Sequence, residues 1–271
     1  MRGTSASSAQ RVATGFEPVL RAAGTDASAL GAQLFAVVDA LDSSGSLRRA
    51  LSDPSRQADD KAALVQGLLR GKVDERVVEA VAAFARARWS AESDLVDALE
   101  EAAFDALLAS AQAEGRLEQV EDELFRFERA LVGQRDLRRA LTERAAAPRA
   151  RGALVRQLLG GKVSAQTLQA VERLAVAPRG RSVTVLLGLV GRLAARRRQR
   201  LVAAVFVAVP PTVAQTERLS GLLERAYGRP VQLNVSVDPQ VIGGMRVQVG
   251  DEVVDSTVLA RLDDARRRLA G

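Results

Sequence analysis

A mainly α chain, made of two tandem repeated helical bundles followed by a small α/β C-terminal domain, is the fold class this sequence predicts. Three observations carry that prediction. Residues 47–81 (L-R-R-A-L-S-D…A-L-V-Q-G-L-L-R-G-K-V…A-V) recur as residues 137–171 (L-R-R-A-L-T-E…A-L-V-R-Q-L-L-G-G-K-V…A-V). The offset is a constant 90, with Leu47 on Leu137, Leu64 on Leu154, Lys72 on Lys162 and Val81 on Val171. A fixed period of this size marks a duplicated structural unit. Up to about residue 200 the apolar positions step by three and four, as on one face of a helix; beyond it they alternate, as in strands.

Taken in order, residues 1–10 are small and polar and read as a frayed start. Leu30, Leu34, Val37 and Leu41 form one helical stripe within Ala27–Leu41, and Val120, Leu124, Phe127 and Leu131 repeat its steps. A short helix at Leu47–Leu51 (copy Leu137–Leu141) precedes a break at Asp53-Pro54 (copy near Pro148) and a helix at 59–70 (copy 149–159). That helix stops at Gly71, or at Gly160-Gly161, where glycine supplies a left-handed terminal residue. Asp74 and Ser164 then stand as N-caps. The helices they open present Val78, Val81, Phe84 and Ala85, or Leu168, Val171, Leu174 and Ala175.

Helices of this length on short connections make antiparallel bundles. Neither Gly nor Pro interrupts 91–114, and its apolar residues lie on more than one face, so one helix can belong to both bundles. The expected division is a first bundle over 1–97, a second over 98–200 and the α/β domain over 201–271.

The tail opens on a strand-like run, Val202 to Val209, halted by Pro210-Pro211. Thr212 with Gln215 makes a capping box for a helix carrying Leu219, Leu222, Leu223 and Ala226, closed by Gly228 and Pro230. Val231, Leu233, Val235 and Val237 alternate with polar residues, and so do Met245, Val247 and Val249. Gly250-Asp251 reads as a tight turn. Asp255 or Ser256 then reads as the cap of a last helix with Val258, Leu262, Ala265 and Leu269 inward. The order is strand, helix, strand, strand, helix.

Composition narrows the chemistry. With no Cys and no His, the chain lacks thiol and imidazole nucleophile machinery, thiolate sites and His-ligated metal. Its only lysines are Lys61, Lys72 and Lys162. The two G-K pairs are not phosphate loops. Gln66 and Arg156 replace the first glycine of such a loop, and Val73 and Val163 replace its hydroxyl residue. No catalytic, cofactor-binding or metal-ligating residue is therefore assigned, and no cofactor.

The net charge of +6 is mostly arginine interspersed with carboxylates. The two true clusters, Arg196-Arg197-Arg198 with Arg200 and Arg266-Arg267-Arg268, sit near helix C-termini, where cations offset the helix dipole. An Arg-rich nucleic-acid-binding protein is the alternative reading. It needs a basic face interleaved with aromatics, and Trp89 and Tyr227 do not interleave with the clusters. A carboxylate-based enzyme has no paired constellation in its favour. The longest apolar run, Leu201 to Val209, is far short of the ~20 residues of a bilayer helix. The N-terminus lacks an apolar signal core, so a soluble cytoplasmic chain is expected.

The segment V-D-P-Q-V-I-G-G-M-R-V-Q-V-G-D-E-V-V-D-S-T-V-L-A-R-L (237–262) closely resembles the C-terminal signature of a known family. This is the delta subunit of F-type ATP synthases, the oligomycin-sensitivity-conferring protein family, with the pattern V-D-P-x-L-I-G-G-x-x-V-x-x-G-x-x-x-x-D-x-S. Asp238, Pro239, Ile242, Gly243, Gly244, Gly250 and Asp255 match; Val241 and Thr257 stand where the pattern has Leu and Ser. A-A-F-D-A-L-L-A-S-A-Q-A-E-G (102–115) is similar to the family's opening helix. Residues 98–271 then account for an ordinary member, and 1–97 are an additional upstream bundle.

The resemblance implies a non-catalytic stator subunit on the peripheral stalk of the proton-translocating ATP synthase. It would link the crown of the alpha/beta head to a membrane-anchored b-type subunit, so that rotor torque drives ATP synthesis. The implied partners are the alpha (and beta) subunits and the b-type stalk, with no nucleic acid and no direct membrane insertion. The implied place is the cytoplasmic face of the bacterial cell membrane, held there by the complex. In the family an alpha N-terminal helix lies between the first and fifth bundle helices. Those map onto about 98–113 and 165–176, which makes Ala103, Leu107, Leu168 and Val171 the candidate partner-binding residues. The signature itself reads as structural. Gly243-Gly244 relax the backbone between turn and strand, and Asp255 caps the final helix.

Overall fold

The computed structural model describes residues 3–143, 146–199, 201–228, 231–238, 241–249 and 252–255. The chain divides into two compact units, Met1–Arg197 and Arg198–Gly271.

In the first unit, α1 (Thr4–Ala23) leads through a short 3-10 turn to α2 (Ala27–Ser43), α3 (Gly45–Ser52), α4 (Ala58–Leu69), α5 (Glu75–Arg86) and α6 (Glu92–Ala113). Next come α7 (Leu117–Ala130), α8 (Arg135–Thr142), α9 (Pro148–Leu159), α10 (Ala165–Val176) and α11 (Val183–Gln199). Shifting α2 to α5 by 90 residues lands on the first residues of α7 to α10 in every case. Two shifts carry α1 first onto α6 and then onto α11. The helix pattern at Thr4–Ala23 corrects the frayed reading of residues 1–10. Small serines hide the stripe there: Ser5 and Ser8 are buried with Phe16 and Leu20, and Ser5 Oγ accepts from the Ser90 amide at 2.8 Å.

Local chemistry repeats with the helices. Gly71 and Gly161 take left-handed φ values of 74° and 71°, the conformation at which a helix commonly stops. The next helix is capped by Asp74, which accepts from Arg76 N, or by Ser164, which accepts from Thr167 N. The amide of each cap is satisfied by the helix three places before the one it opens, α2 for α5 and α7 for α10. Asp74 N donates to Gln33 Oε1 at 2.7 Å, and Ser164 N donates to Glu123 Oε2 at 3.0 Å. Two buried cations are equivalent as well. Lys61 Nζ donates to the Ala87 carbonyl at 3.3 Å, and Arg151 Nε donates to that of Ala175 at 2.6 Å. Each covers carbonyls that the end of a helix leaves without an intrahelical partner.

Two hydrophobic cores form, and α6 contributes to both. Leu95, Val96, Leu99, Ala103 and Ala106 pack with α1, α2 and α5. Phe104, Leu107, Leu108 and Ala111 pack with α7, α10 and α11. A helix with apolar residues on two faces has to bury both, and α6 runs unbroken through the unit, one face in each core. Its alanines permit close approach. A Cβ placed on Gly31 of α2 would sit 2.8 Å from the Ala103 carbonyl oxygen, so only glycine fits that crossing.

In the second unit β1 (Leu201–Val207), α12 (Val213–Tyr227), β2 (Val231–Val237), β3 (Met245–Val249) and β4 (Glu252–Asp255) build a sheet of order β2-β1-β3-β4. Strand β1 is parallel to β2 and antiparallel to β3, and β4 is antiparallel to β3. The capping box at Thr212 and Gln215 forms, and Gly228 closes α12 with φ 66°. Ala203, Val205, Val207, Val231, Val247 and Val249 make the core, with Leu219 and Leu223 of α12 packed on it. Leu222 is exposed instead, because the apolar stripe is wider than the strip of α12 that this core covers.

Strand β4 corrects the sequence-based order. Glu252–Asp255 pairs with β3, Asp255 opposite Arg246, where a turn leading straight to a helix cap was expected. Val253 and Val254 lack the alternation that marks a half-buried strand, and both are exposed. The last helix and the rest of its cap, the Gly250-Asp251 turn, Pro230 and the Arg266–Arg268 cluster lie outside the described residues.

Candidate partner-binding surface

The structure brings Leu107, Leu168 and Val171 to the second core, which α6 and α10 share, and leaves Ala103 in the first. Ala103 and Leu107 of α6 and Val171 of α10 are buried, Ala103 in the first core and the other two in the second. Leu168 is half-buried against the second core. The cause lies upstream. Helix α2 crosses α6 at Gly31, puts the Phe35 ring edge-on to Phe104 with centroids 4.8 Å apart, and reaches α10. There the Arg173 guanidinium stacks 4.6 Å over the Phe35 ring and pairs with both oxygens of Asp39 at 2.7 and 2.8 Å. The upstream copy therefore lies along the α6 side of the α6–α10 seam.

Three arginine sites fasten the copies together. Arg179, in the loop after α10, pairs with Asp42 and Asp97 at 2.7 Å each and with Glu100 at 3.2 Å. Its φ of 51° is left-handed, a conformation that costs a non-glycine residue roughly 1–3 kcal/mol and is held here by three carboxylates. Arg181 shares Glu100. Arg197 of α11 is 2 % exposed and spans Glu17 of α1, Asp105 of α6 and the Gln112 side chain. Burial opposes its charge, but the two carboxylates hold its pKa above the ordinary arginine value.

This corrects the reading of the Arg196–Arg198 cluster as helix-dipole charges. Arg197 is an internal ion-pair residue, and Arg196 meets Glu101 at 3.7 Å. The sequence carried a signal for it, since Glu100, Glu101 and Asp105 stand among the apolar residues in the middle of α6 and buried carboxylates need partners. Burial pushes the Glu101 carboxyl up by more than Arg196 pulls it down.

The glycine-lysine pairs are helix stops. Lys72 N and Lys162 N donate to the carbonyls of Leu69 and Leu159, and Lys162 Nζ donates back to Leu158. In the C-terminal signature, Gly244 takes φ 81°, so the glycine is required by the turn into β3. The Asp238 amide donates to the Val207 carbonyl at 3.0 Å, extending the β1–β2 edge, and its carboxylate lies 3.5 Å from Arg246. Ile242 is exposed while its neighbour Val241 is buried. Gly243 precedes Gly244 in the same bend. The backbone of Asp255 ends β4, and Pro239 and Gly250 lie outside the described residues. Among the described residues no group of His, Cys, Asp or Glu is placed to hold a metal ion, and no helix is long and apolar enough to cross a membrane.

Comparison with known proteins agrees with this architecture. The chain is 56% identical to the ATP synthase subunit delta of Beutenbergia cavernae over 271 residues, covering 100% of both chains. It is 49% identical to that of Streptomyces coelicolor over 245 residues, covering 90% of this chain and 89% of the relative. The upstream bundle thus falls within the aligned length of these relatives. A chain of the Toxoplasma gondii mitochondrial ATP synthase hexamer overlays 63% of this chain and 97% of its own length, at 20% identity and a TM-score of 0.28, too loose a fit to bear on the fold. A profile of the ATP synthase delta (OSCP) subunit matches residues 105–269, from within α6 to the C-terminal signature. With a matching profile over most of its length and a full-length relative at this identity, the chain belongs to the ATP synthase delta (OSCP) subunit family.

Proposed function

We propose that this non-catalytic peripheral-stalk subunit works as a two-ended clamp. Its helical unit holds the alpha/beta crown of the catalytic head, and its α/β unit holds a b-type stalk subunit. The observation that carries the reading is the division into two compact units with separate cores, which gives one chain two independent surfaces. In this reading the clamp keeps the head from turning with the rotor, so that torque is spent on ATP synthesis, and the chain sits peripherally at the cytoplasmic face of the bacterial membrane.

On the head side, an alpha N-terminal helix approaches the α6–α10 seam from the Leu168 flank, the side that α2 does not line. Leu107 and Val171 shape that seam from behind, while Ala103 is covered by α2. On the stalk side, the exposed side chains of Val237, Ile242 and Val253 offer apolar contacts for a b-type helix.

The test is calorimetry of the full chain against two peptides, the alpha N-terminus and the distal end of the b-type subunit, singly and together. Both bind at once in this reading. Leu168→Asp weakens only the alpha peptide, by more than about tenfold, because burying a leucine contributes roughly 1.5–3 kcal/mol. Mutually exclusive binding, or an alpha affinity indifferent to Leu168→Asp, would overturn it.

A further inference from the structure

Helix α11 closes the helical unit, and β1 of the second unit starts almost at once, at Leu201. A force that passes between the units along the chain therefore enters α11 first. One face of α11 is packed, with Val183, Leu186, Leu187, Val190 and Leu193 in the second core. The side toward α6 is looser. A cleft of about 150 Å³ lies there, lined by Asp97 and Glu101 of α6 and by Val185, Leu189 and Arg192 of α11, and Val185 is 58% exposed. Shifted back by 90 residues, Val185, Leu186 and Leu189 fall on Leu95, Val96 and Leu99, all buried in the first core. Packing holds the last helix of the first copy where it leaves that of the second copy open.

The two ends of α11 are held by ion pairs, and part of each comes from the upstream copy. Before the first turn, Arg179 and Arg181 bind Asp97 and Glu100 of α6. Arg179 also binds Asp42, in the last turn of α2, at 2.7 Å. In the last turn, Arg197 binds Asp105 of α6 and Glu17 of α1, the latter through both carboxylate oxygens at 3.1 and 2.7 Å. None of these charges belongs to the repeat. Asp42 falls on Val132, Arg179 on Trp89, and Glu17 on Leu107 and then on Arg197. The fold of one copy does not call for them, so they are specific to the place where α11 meets the upstream copy.

We propose that the upstream bundle is a brace for α11. Glu17 and Asp42 pin its two ends, so that load arriving from the second unit is carried into both bundles instead of lifting α11 off α6. Ion pairs suit this task. A bidentate arginine–carboxylate contact fixes direction as well as distance, and a buried one is little screened by salt. The proposal goes beyond the two-ended clamp, because it gives the additional bundle a task of its own.

The experiment compares the native full chain with Glu17→Gln/Asp42→Asn. The double change removes only the upstream pins and leaves Arg179 and Arg197 with their α6 carboxylates. Hydrogen exchange, read by mass spectrometry, reports local opening of this kind. Protection of the α11 amides should fall on the order of tenfold, about 1.4 kcal/mol, with α9 and α10 unchanged. Should the pair fail to fold, Asp42→Asn alone carries the same test at the start of α11. Unchanged protection of α11, or an equal loss across α4, α9 and α11, would refute the proposal. In the assembled ATP synthase the variant should hydrolyse ATP at the native rate but pump protons less well against an opposing gradient. Native pumping against that gradient would sink the load-bearing role. The exchange measurement uses the chain alone, so it stands whether or not the two-ended clamp does.

Discussion

Glu17 of α1 and Arg197 of α11 occupy the same position of the repeat two periods apart, and they bond to each other. Arg197 Nη2 donates to Glu17 Oε2 at 2.7 Å across 180 residues of sequence. Leu107, the equivalent residue of the middle helix α6, lies in the second core. One ancestral position thus serves as an acid, an apolar core residue and a base. The acid and the base close the first copy onto the second, with Asp105 of α6 as the shared partner.

Removing the base should therefore be costly. Arg197→Ala removes the cation that Glu17 and Asp105 share, and breaking a buried pair from one side typically costs about 3–5 kcal/mol. Urea unfolding of the full chain should show a loss of that order. Arg197→Met combined with Glu17→Leu and Asp105→Leu should recover most of it, because no uncompensated charge remains.

The equivalence of Gln33 and Glu123 predicts a difference in acid response between the copies. Burial works against the charged form of Glu123, but donors from Thr167, Ser164 and Gln119 outweigh it and hold the carboxyl below its ordinary 4.5. A carboxylate with a depressed folded-state pKa contributes stability above its unfolded pKa and loses it as pH falls through the folded value. Stability from this site is therefore full above about pH 5 and drains as the medium is acidified below the ordinary 4.5. Gln33, which holds Asp74 N in the first copy, does not titrate. Glu123→Gln should lower stability at neutral pH and flatten its decline toward pH 3, as read from melting temperatures across that range.

The crossing of α2 over α6 gives a third expectation. With the Ala103 carbonyl 2.8 Å from where a Cβ would stand, Gly31→Ala must push two helix backbones apart. Overpacking of this kind costs roughly 1–3 kcal/mol. Denaturant midpoints should fall accordingly. An unchanged midpoint would mean that the crossing is looser than the structure places it.

Because α6 belongs to both cores, the two bundles should unfold together. Trp89, the one tryptophan of the chain, is buried in the first core, while the Phe104 side chain of α6 belongs to the second. Phe104→Ala should cost about 3–5 kcal/mol, and the Trp89 fluorescence transition should move as far as the helical circular dichroism transition. Separate transitions would show that the bundles are independent folding units.

Much of the fold was legible because it was written twice. Gly71 and Gly161, Asp74 and Ser164, and the Leu30 and Val120 stripes each repeat a local rule whose physics is confined to a few neighbouring residues. Helix stops, caps and apolar periods could therefore be placed from the chain alone. In the C-terminal signature Gly244 was equally legible, since it needs its left-handed φ whatever surrounds it. Less local features escaped. The start of α1 is built from Ser5 and Ser8, which look like solvent residues until the Ser90 amide arrives to meet them. Strand β4 has no alternation to announce it and exists because β3 offers an edge.

The sequence by itself determined that a helical unit occurs twice, that an α/β unit follows, and which family the chain resembles, because periodicity and glycine geometry are properties of neighbouring residues. Only the tertiary structure decided which arginines are surface charges and which are internal bolts. It also decided that Ala103 and Leu107 are covered, and that Phe125 is left open where Phe35 is not. Those outcomes depend on which residues meet across 90 or 180 positions, and burial and ion pairing are fixed by that meeting.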